Sequence, residues 1–255
     1  MGMKIFIKIK YLGSAYSGYQ VQKNAPTVQG ELCKAAEKLF GFECDITGCS
    51  RTDSGVHANM FCATIVKQGE KCIETTLPME KLPRAINAFL PPDIAVYESE
   101  WVEENFHARH DVEYKEYIYK IRCSFERDPF LSDRCWHYPR RIDDTALEKM
   151  KKAAKHFEGT HDFSAYMAQG SPVISTVRTI FYTDVIREGE NIIFKVAGDG
   201  FLYNMVRIMT GTLISVAVGK ISPDEIPEIT ESCDRTKAGM TAPPEGLYLN
   251  YVKYR

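Results

Sequence analysis

The chain has 255 residues and a net charge of −2 at pH 7, and 44% of its residues are hydrophobic and 26% charged. A chain of this length can bury a substantial core as one domain or two, and its composition excludes the disordered and fibrous classes. No apolar run is long and uncharged enough to cross a membrane, and residues 1–10 alternate Lys with Ile and Phe, which indicates a strand and not a signal peptide.

The first half of the chain is predicted to fold as β-α-β-β-α-β. Thr27 caps the first helix and Gly41 ends it, whereas Pro91-Pro92 stops the second. The predicted strands are 3–11, 44–47, 58–67 and 94–102, and the predicted helices are 28–40 and 78–90.

The second half again interleaves strands and helices, without a sequence repeat. The elements predicted there are a strand over 114–122, a helix from Asp143 or Asp144 to 157, a loop over 159–163, a hairpin of 173–186 and 191–196, helices over 201–219 and 223–232, and a closing strand over 247–253.

The fold class is therefore α+β. We expect two subdomains, 1–105 and 106–255, each a mainly antiparallel sheet with helices on one face, as in RRM-like and ferredoxin-like folds, with the sheets joined around a central catalytic cleft.

The eight cysteines form no CxxC pair, and no His spacing completes a zinc site, so no metal is predicted. Without a secretory segment, we expect free buried thiols in a reducing cytoplasm. The chain also has no P-loop and no dinucleotide fingerprint, and we expect neither a nucleotide nor any other cofactor.

A polar loop, residues 48–58, separates the second and third predicted strands. It contains Asp53 and Arg51 together with hydroxyl groups and two glycines. A loop held between strands is a fixed platform, and such platforms carry site residues. An isolated Asp in such a loop is, however, most often a turn residue.

Arg207 is the only formal charge in the apolar segment 201–218, which is predicted to be buried. A buried guanidinium needs an anionic partner, because its desolvation is costly. One explanation is that the long side chain of Arg207 reaches an acidic residue at the protein surface. The alternative is an ion pair with Asp53, which would keep that carboxylate ionised and able to act as a nucleophile.

Tyr117 lies on a predicted strand among other tyrosines and several bases. A strand Tyr is usually a core residue, but rings interleaved with bases also suit base stacking beside phosphate contacts, and both interpretations stay open. A second basic stretch, 134–156, has seven Lys and Arg against three acids. It can bind phosphates although the net charge is negative, while its lysines alone also fit a solvated helix face.

Five motif blocks together resemble the tRNA pseudouridine synthase A (TruA) family. They run in the family's order over nearly the whole chain: Tyr11-Leu12-Gly13 to Gln20, the signature Cys49-Ser50-Arg51-Thr52-Asp53-Ser54-Gly55-Val56-His57-Ala58, Phe106-His107-Ala108-Arg109 with Lys115-Glu116-Tyr117-Ile118-Tyr119, Phe201 to Gly211, and Ala238 to Leu249. The chain departs from the family pattern at Leu12, Tyr19, Ser50 and Ser54, which affects the expected contacts of the N-terminal loop.

The resemblance implies an isomerase that converts uridine to pseudouridine in the tRNA anticodon stem-loop, at tRNA positions 38–40. It implies Asp53 as the catalytic residue, Arg51 as an RNA contact that helps to extrude the base, Tyr117 as the residue that stacks on uracil, and Arg207 as the partner of the aspartate. It also implies a cytoplasmic homodimer, with one tRNA touching both subunits. Further candidate RNA contacts are His57, His107, Arg109, Lys115, Arg140 and Arg141.

Two other classes remain as alternatives. A non-catalytic RNA-binding protein with RRM-like halves would keep the basic and aromatic strand but would not need Asp53 and Arg207 together. An aspartate-nucleophile phosphotransferase or phosphatase would carry a second acid two residues after the nucleophile, where this chain has Gly55.

Overall fold

The structure, a computed structural model, describes residues 2–170 and 173–255. The chain divides into two compact units. The first comprises Met1–Glu113 and Leu249–Arg255, and the second comprises Tyr114–Tyr248. Both units contain helices and strands, so the α+β class is confirmed.

The first unit follows the predicted order β-α-β-β-α-β. Its strands pair antiparallel: β1 pairs with β4 and β3, and β2 pairs with β3. The last strand of the chain, β10, neighbours β3. The elements are β1 (Met3–Tyr11), α1 (Val28–Phe40), β2 (Cys44–Gly48), β3 (His57–Lys67), α2 (Leu82–Asn87), β4 (Ile94–Glu103) and β10 (Leu247–Tyr254).

Helix α1 shows how local sequence sets these boundaries. The Thr27 hydroxyl accepts a hydrogen bond from Gly30 N at 3.2 Å, which satisfies one of the free N–H groups at the helix start. Gly41 ends the helix with φ 79°, a left-handed conformation that glycine adopts at no steric cost. The stripe Val28, Leu32 and Ala35 is buried, as the periodicity predicts.

The second unit has an antiparallel sheet in the order β5-β9-β8-β7, and a short strand, β6, pairs parallel with β5. Helix α3 packs on α4 and β8. The elements are β5 (Val112–Cys123), β6 (Trp136–Tyr138), α3 (Asp144–Lys155), β7 (Gly159–Asp162), β8 (Val177–Glu188), β9 (Asn191–Gly198), α4 (Met205–Ala217) and α5 (Ile226–Glu231).

Several of the predicted elements differ in the structure, and three of the differences bear on the argument. The segment 201–219 becomes helical only at Met205, because Asn204 takes a left-handed conformation with φ 60°. Residues 159–162, predicted as a loop, form the edge strand β7 by pairing with β8. The predicted helix 78–90 is a short 3-10 turn followed by the six-residue α2.

In the part of the chain that the structure describes, no helix is long and apolar enough to span a membrane. The cysteines are free thiols, and most of them are buried.

Candidate active site

The backbone of the first unit makes a tight turn at Asp53. Asp53 O accepts a hydrogen bond from Val56 N at 3.2 Å, and Gly55 at the turn has φ 78°. A side chain at that φ would strain the backbone, so glycine is needed there. The turn follows the end of β2 and leads directly into β3, which leaves the Asp53 side chain half-buried.

Thr52 fixes the backbone on the N-terminal side of Asp53. Its hydroxyl lies 2.7 Å from the Tyr11 hydroxyl in a buried hydrogen bond, and its carbonyl accepts from Tyr19 N at 3.1 Å. The approach of the two loops is close, because a Cβ on Gly18 would lie 2.7 Å from Thr52 O. The aspartate is therefore attached on this side to both β1 and the N-terminal loop.

Tyr16 fixes the C-terminal side of the same turn. Its carbonyl accepts from Ser54 Oγ at 3.2 Å and from Gly55 N at 3.3 Å. Its hydroxyl donates to Asp93 Oδ1 at 2.5 Å. Burial, followed by the hydrogen bond to Asp93, raises the pKa of Tyr16 well above its ordinary value.

Asp93 also binds the start of this loop, since its carbonyl accepts from Leu12 N at 2.9 Å. The sequence marks residues 11–20 as a motif block and does not single out Asp93. The available signal was two tyrosines in a Gly/Ser loop and an acid after two prolines, which does not specify that Tyr16 and Asp93 pair.

His57 is not placed where it can contact a nucleic acid. Its ring is 0% exposed, and its Nδ1 accepts from Gly13 N at 2.9 Å. Gly13 is needed for this approach, because a Cβ there would lie 2.0 Å from Val56 O. We therefore assign His57 to the support of the loop and remove it from the candidate RNA contacts.

A cleft of about 270 Å³ lies beside the signature loop in the first unit. It brings Arg51, which is exposed, together with Arg109 and His107 of the second motif block. The remaining lining residues are Tyr19, Gln20, Gln29, Ile46, Thr47, Gly48, Ser50 and His110. Two guanidinium groups at one cleft, with histidine and amide side chains around them, form a suitable site for an anionic, hydrogen-bonding ligand.

His107 lines this cleft as a neutral ring. Burial, followed by the nearby His110 and Lys4, lowers its pKa below the ordinary value. Its Nδ1 accepts from Arg109 N at 3.1 Å and from His110 N at 3.3 Å, which requires an unprotonated Nδ1. His107 therefore orients the backbone that carries Arg109 and adds no positive charge of its own.

Tyr117 lies on β5 of the second unit, opposite Val196 of β9. Its side chain is 7% exposed, and its ring contacts the Phe201 ring edge-on, at a centroid distance of 4.9 Å and an interplanar angle of 76°. Such an edge-to-face contact holds a ring in one orientation.

Arg207 is half-buried on α4, and its guanidinium is oriented by neutral oxygen atoms of the same unit. Nε donates to Ala242 O at 2.7 Å, and one terminal nitrogen donates to Asn204 Oδ1 at 2.6 Å. The left-handed Asn204, which delays the start of the predicted helix, is thus the residue that positions Arg207. The C-terminal motif packs against the same helix, since a Cβ on Gly211 would lie 1.8 Å from Met240 O.

The remaining sequence candidates lie at two places in the second unit. Lys115 is half-buried near the start of β5, opposite Gly198 of β9. Arg140 and Arg141 are exposed between β6 and α3, far along the chain from Tyr117. Within the described ranges, no group of three His, Cys, Asp or Glu residues is arranged to hold a metal ion.

Comparison with known proteins identifies the family of the chain. A family profile described as tRNA pseudouridine synthase matches residues 7–111 and 153–255. The tRNA pseudouridine synthase A of Thermoanaerobacter sp. (strain X514) is 46% identical over 98% of this chain and 99% of its own length. The tRNA pseudouridine synthase A 2 of Clostridium tetani is 41% identical over 100% of both chains. A solved structure, the archaeal box H/ACA sRNP Nop10-Cbf5 complex, aligns with 94% of this chain and 46% of that chain at 12% identity and a TM-score of 0.37, a similarity too low to bear on function.

The chain belongs to the TruA family of tRNA pseudouridine synthases. Its activity is that of a tRNA pseudouridine synthase A, an isomerase. The prediction of the family and of the enzyme class is thereby confirmed.

Proposed function

We propose that the chain isomerises uridine in the anticodon stem-loop of tRNA, with Asp53 as the nucleophile. Tyr117 stacks on the uracil, Arg51 contacts the RNA beside the extruded nucleotide, and Arg207 pairs with the aspartate. The observation that supports this most is the turn at Asp53, which Thr52 and Tyr16 hold by hydrogen bonds on both sides. A nucleophile that is fixed before substrate binds needs little reorganisation during the reaction.

The reaction balances without a redox partner or an energy source. The bond from ribose C1′ to uracil N1 breaks, the base rotates, and a bond from C1′ to C5 forms. The proton on C5 is lost and N1 gains one, so substrate and product are isomers. Attack by Asp53 at C1′ or at C6 gives a covalent intermediate, and both routes use the same carboxylate.

The buried, edge-held ring of Tyr117 supports its proposed role. A detached uracil must be kept in place while it rotates, and stacking on an aromatic face restrains the base without fixing its rotation in the plane. The ordinary pKa of tyrosine, near 10, makes Tyr117 a poor base for the C5 proton unless the site lowers it.

The cleft that carries Arg51 and Arg109 supports the proposed RNA contact. A guanidinium binds a phosphate through two parallel hydrogen bonds, which positions the strand as well as attracting it. The target uridine must leave its stack, and a nucleotide near a loop loses less stacking and pairing energy than one inside a duplex. These requirements favour a stem-loop substrate.

Tritium release tests the proposed nucleophile directly. tRNA transcribed with 5-tritiated uridine loses tritium to water when the C5 proton is exchanged, and the released counts give the rate. We expect release by the wild-type protein and none above background with Asp53→Asn or Asp53→Ala. Release that survives in the Asp53→Ala variant would refute the nucleophile assignment.

The isosteric Asp53→Asn variant separates chemistry from binding. Because the amide keeps the shape of the carboxylate, we expect its tRNA Kd to stay within about threefold of the wild-type value, a change of about 0.6 kcal/mol. Filter binding on the same tRNA measures this. A Kd raised in proportion to the loss of rate would show that Asp53 acts in binding instead.

We further propose that the protein acts as a homodimer in the cytoplasm, with one tRNA touching both subunits. The support for this arrangement is the resemblance of the chain to its family.

A further inference from the structure

The segment 124–141 carries two exposed phenylalanines, which folding alone does not explain. We call it the Phe–Arg loop; it connects β5 to β6 and continues to the residues before α3. Phe125 is 63% exposed and Phe130 is 84% exposed. Phenylalanine is usually an interior residue, and burying it fully stabilises a protein by about 1.5–3 kcal/mol, so the loop forgoes stability at both positions.

The Phe–Arg loop is held in place at both ends. β5 and β6 pair in parallel, so that Ile121 lies opposite Trp136 and Cys123 opposite Tyr138. His137 Nε2 lies 2.9 Å from Ser124 O, which closes the loop further. The two rings are therefore presented on a fixed base.

The tip of the loop is also ordered by hydrogen bonds. Asp128 accepts from Phe130 N at 3.0 Å, and Tyr248 donates its hydroxyl to Arg134 O at 2.6 Å. Because Phe130 sits in a 3-10 turn capped by Asp128, its ring projects from a defined backbone.

Exposed arginines belong to the same loop, and one of them lies over the Phe125 ring. The guanidinium of Arg141 lies 5.9 Å from the centroid of the Phe125 ring. Arg127, Arg140 and Arg141 are exposed, and none of them has an ion pair among the residues that the structure describes. Arginine beside an exposed aromatic ring is the combination that binds RNA, since the ring stacks on a base while the guanidinium contacts a phosphate.

Three of the four lysines of α3 contrast with these arginines. Lys151 pairs with Glu148, Lys152 with Asp224, and Lys155 with Glu158. Each pair neutralises the charge that a phosphate would meet. Among the described residues, the cations of the basic stretch 134–156 that have no ion pair are Arg140, Arg141 and Lys149, and the two arginines lie next to the exposed rings in the chain.

We propose that the Phe–Arg loop is a second RNA-binding site, at which unpaired bases of the tRNA stack on Phe125 and Phe130 while Arg140 and Arg141 contact phosphates. The proposal rests on the proposed function of the chain as a tRNA isomerase. Along β5, Cys123 lies six residues beyond Tyr117, which is about 20 Å at the rise of a strand. The bases bound here are therefore different nucleotides from the target uridine.

Equilibrium binding of unmodified tRNA, measured by filter binding between 50 and 300 mM salt, tests the two roles separately. Loss of base stacking at a ring costs about fivefold or more in affinity. We expect Phe125→Ala and Phe130→Ala each to raise Kd by that factor without changing the salt slope. We expect Arg140→Gln and Arg141→Gln each to lower the slope of log K against log salt by about 1.

Two sets of variants serve as controls. Phe125→Tyr and Phe130→Tyr keep a stacking face and should keep the wild-type Kd. Phe89→Ala removes an exposed phenylalanine of the first unit, which is 43% exposed, and should leave Kd unchanged. Wild-type affinity in the double variant Phe125→Ala/Phe130→Ala would overturn the proposal. So would a double variant whose mass by light scattering falls to that of one chain, because the rings would then bind a second copy of the protein.

The binding measurement stays independent of the proposed chemistry. If wild-type protein releases no tritium yet the double variant binds tRNA more weakly, the proposed reaction fails and the second RNA site stands. If tritium is released normally and the double variant has wild-type Kd and KM, the reaction stands and the second site fails.

Discussion

At the scale of single residues, the orientation of Asp53 depends on groups that do no chemistry. The Tyr16 carbonyl accepts from Ser54 and Gly55, while its hydroxyl is bound by Asp93. Ser54, one of the departures from the family pattern, therefore adds a hydrogen bond between the turn and the N-terminal loop. This bond further supports the turn that carries the proposed nucleophile.

Tyr16→Phe should reduce catalysis more than binding. The variant keeps the ring but leaves Asp93 without its donor, and the loss of a hydrogen bond to a charged group costs about 1.5–3 kcal/mol. We expect kcat for tritium release to fall roughly 10-fold, since about 1.4 kcal/mol is one factor of ten, with tRNA Kd unchanged. Asp93→Asn, which keeps an acceptor oxygen, should retain more activity than Tyr16→Phe.

The pH dependence of stability gives this prediction a second readout. The pKa of Tyr16 is raised in the folded state, so the protonated hydroxyl stabilises the folded protein. This stabilisation is complete below the unfolded pKa near 10 and is lost progressively as the pH rises above that value. The difference in unfolding free energy between wild type and Tyr16→Phe should therefore be constant from pH 7 to about 10 and shrink above it. For the kinetic readout, a Tyr16→Phe variant with wild-type kcat but a raised tRNA Kd would show that the N-terminal loop acts in RNA binding.

At the scale of elements, local signals placed most helices and strands, and long-range contacts decided the rest. Helix α1 was predicted to the residue, because its cap, its apolar stripe and its terminal glycine are all local. Strand β7 was missed, because four residues become an edge strand only by pairing with β8. The predicted start of α4 was wrong, because Asn204 has a left-handed backbone conformation and accepts a hydrogen bond from Arg207.

The candidate site also contains residues that a local sequence signal predicted and residues that only long-range contacts reveal. The signature loop marked Asp53 and Arg51, and the uncharged surroundings of Arg207 marked that residue. The hydrogen bonds of Tyr16 and Asp93 were not predictable, because they join positions 77 residues apart in the chain. His57 was predicted as a candidate RNA contact, because a histidine in a polar motif does not reveal that it is completely buried.

Arg207→Leu tests how α4 and the C-terminal motif work together. The leucine leaves Asn204 Oδ1 and Ala242 O without their donor, each at a cost of about 1–3 kcal/mol if buried, and removes the charge proposed to pair with Asp53. We expect a folded protein with lower thermal stability and roughly 10- to 100-fold less tritium release, following the free energy of a charge-assisted hydrogen bond.

A charge-conserving variant identifies the cause of that loss. Arg207→Lys keeps the positive charge but not the two separated hydrogen bonds, so it should recover part of the activity if the charge acts on Asp53. Circular dichroism checks that both variants fold. Full activity in Arg207→Leu would show that the arginine has a structural role only.

At the scale of the whole molecule, the chain's last residues return to its first unit. Leu249–Arg255 belong with Met1–Glu113, so the first unit is completed only by residues that follow the second unit in the chain. Removing residues 249–255 would take away most of β10, which lies beside β3. Neither the hydrophobic periodicity nor the composition of the sequence predicts that these two strands are neighbours.

The proposed homodimer makes the final prediction, which combines both RNA sites. If one tRNA contacts both subunits of the proposed homodimer, we expect Asp53, the proposed nucleophile, of one subunit and the Phe–Arg loop of its partner to act on the same RNA. Asp53→Asn and Phe125→Ala/Phe130→Ala homodimers should each be defective at tRNA concentrations below KM. After unfolding, mixing and refolding, random pairing makes about half of the dimers mixed, and each mixed dimer has one intact combination of sites. We therefore expect tritium release to recover to about one quarter of the wild-type rate, a value set by the symmetry of the dimer.

Light scattering before and after mixing should give the mass of two chains. If mixed dimers form and the rate does not exceed the average of the two variants, each tRNA uses the loop and the aspartate of a single subunit.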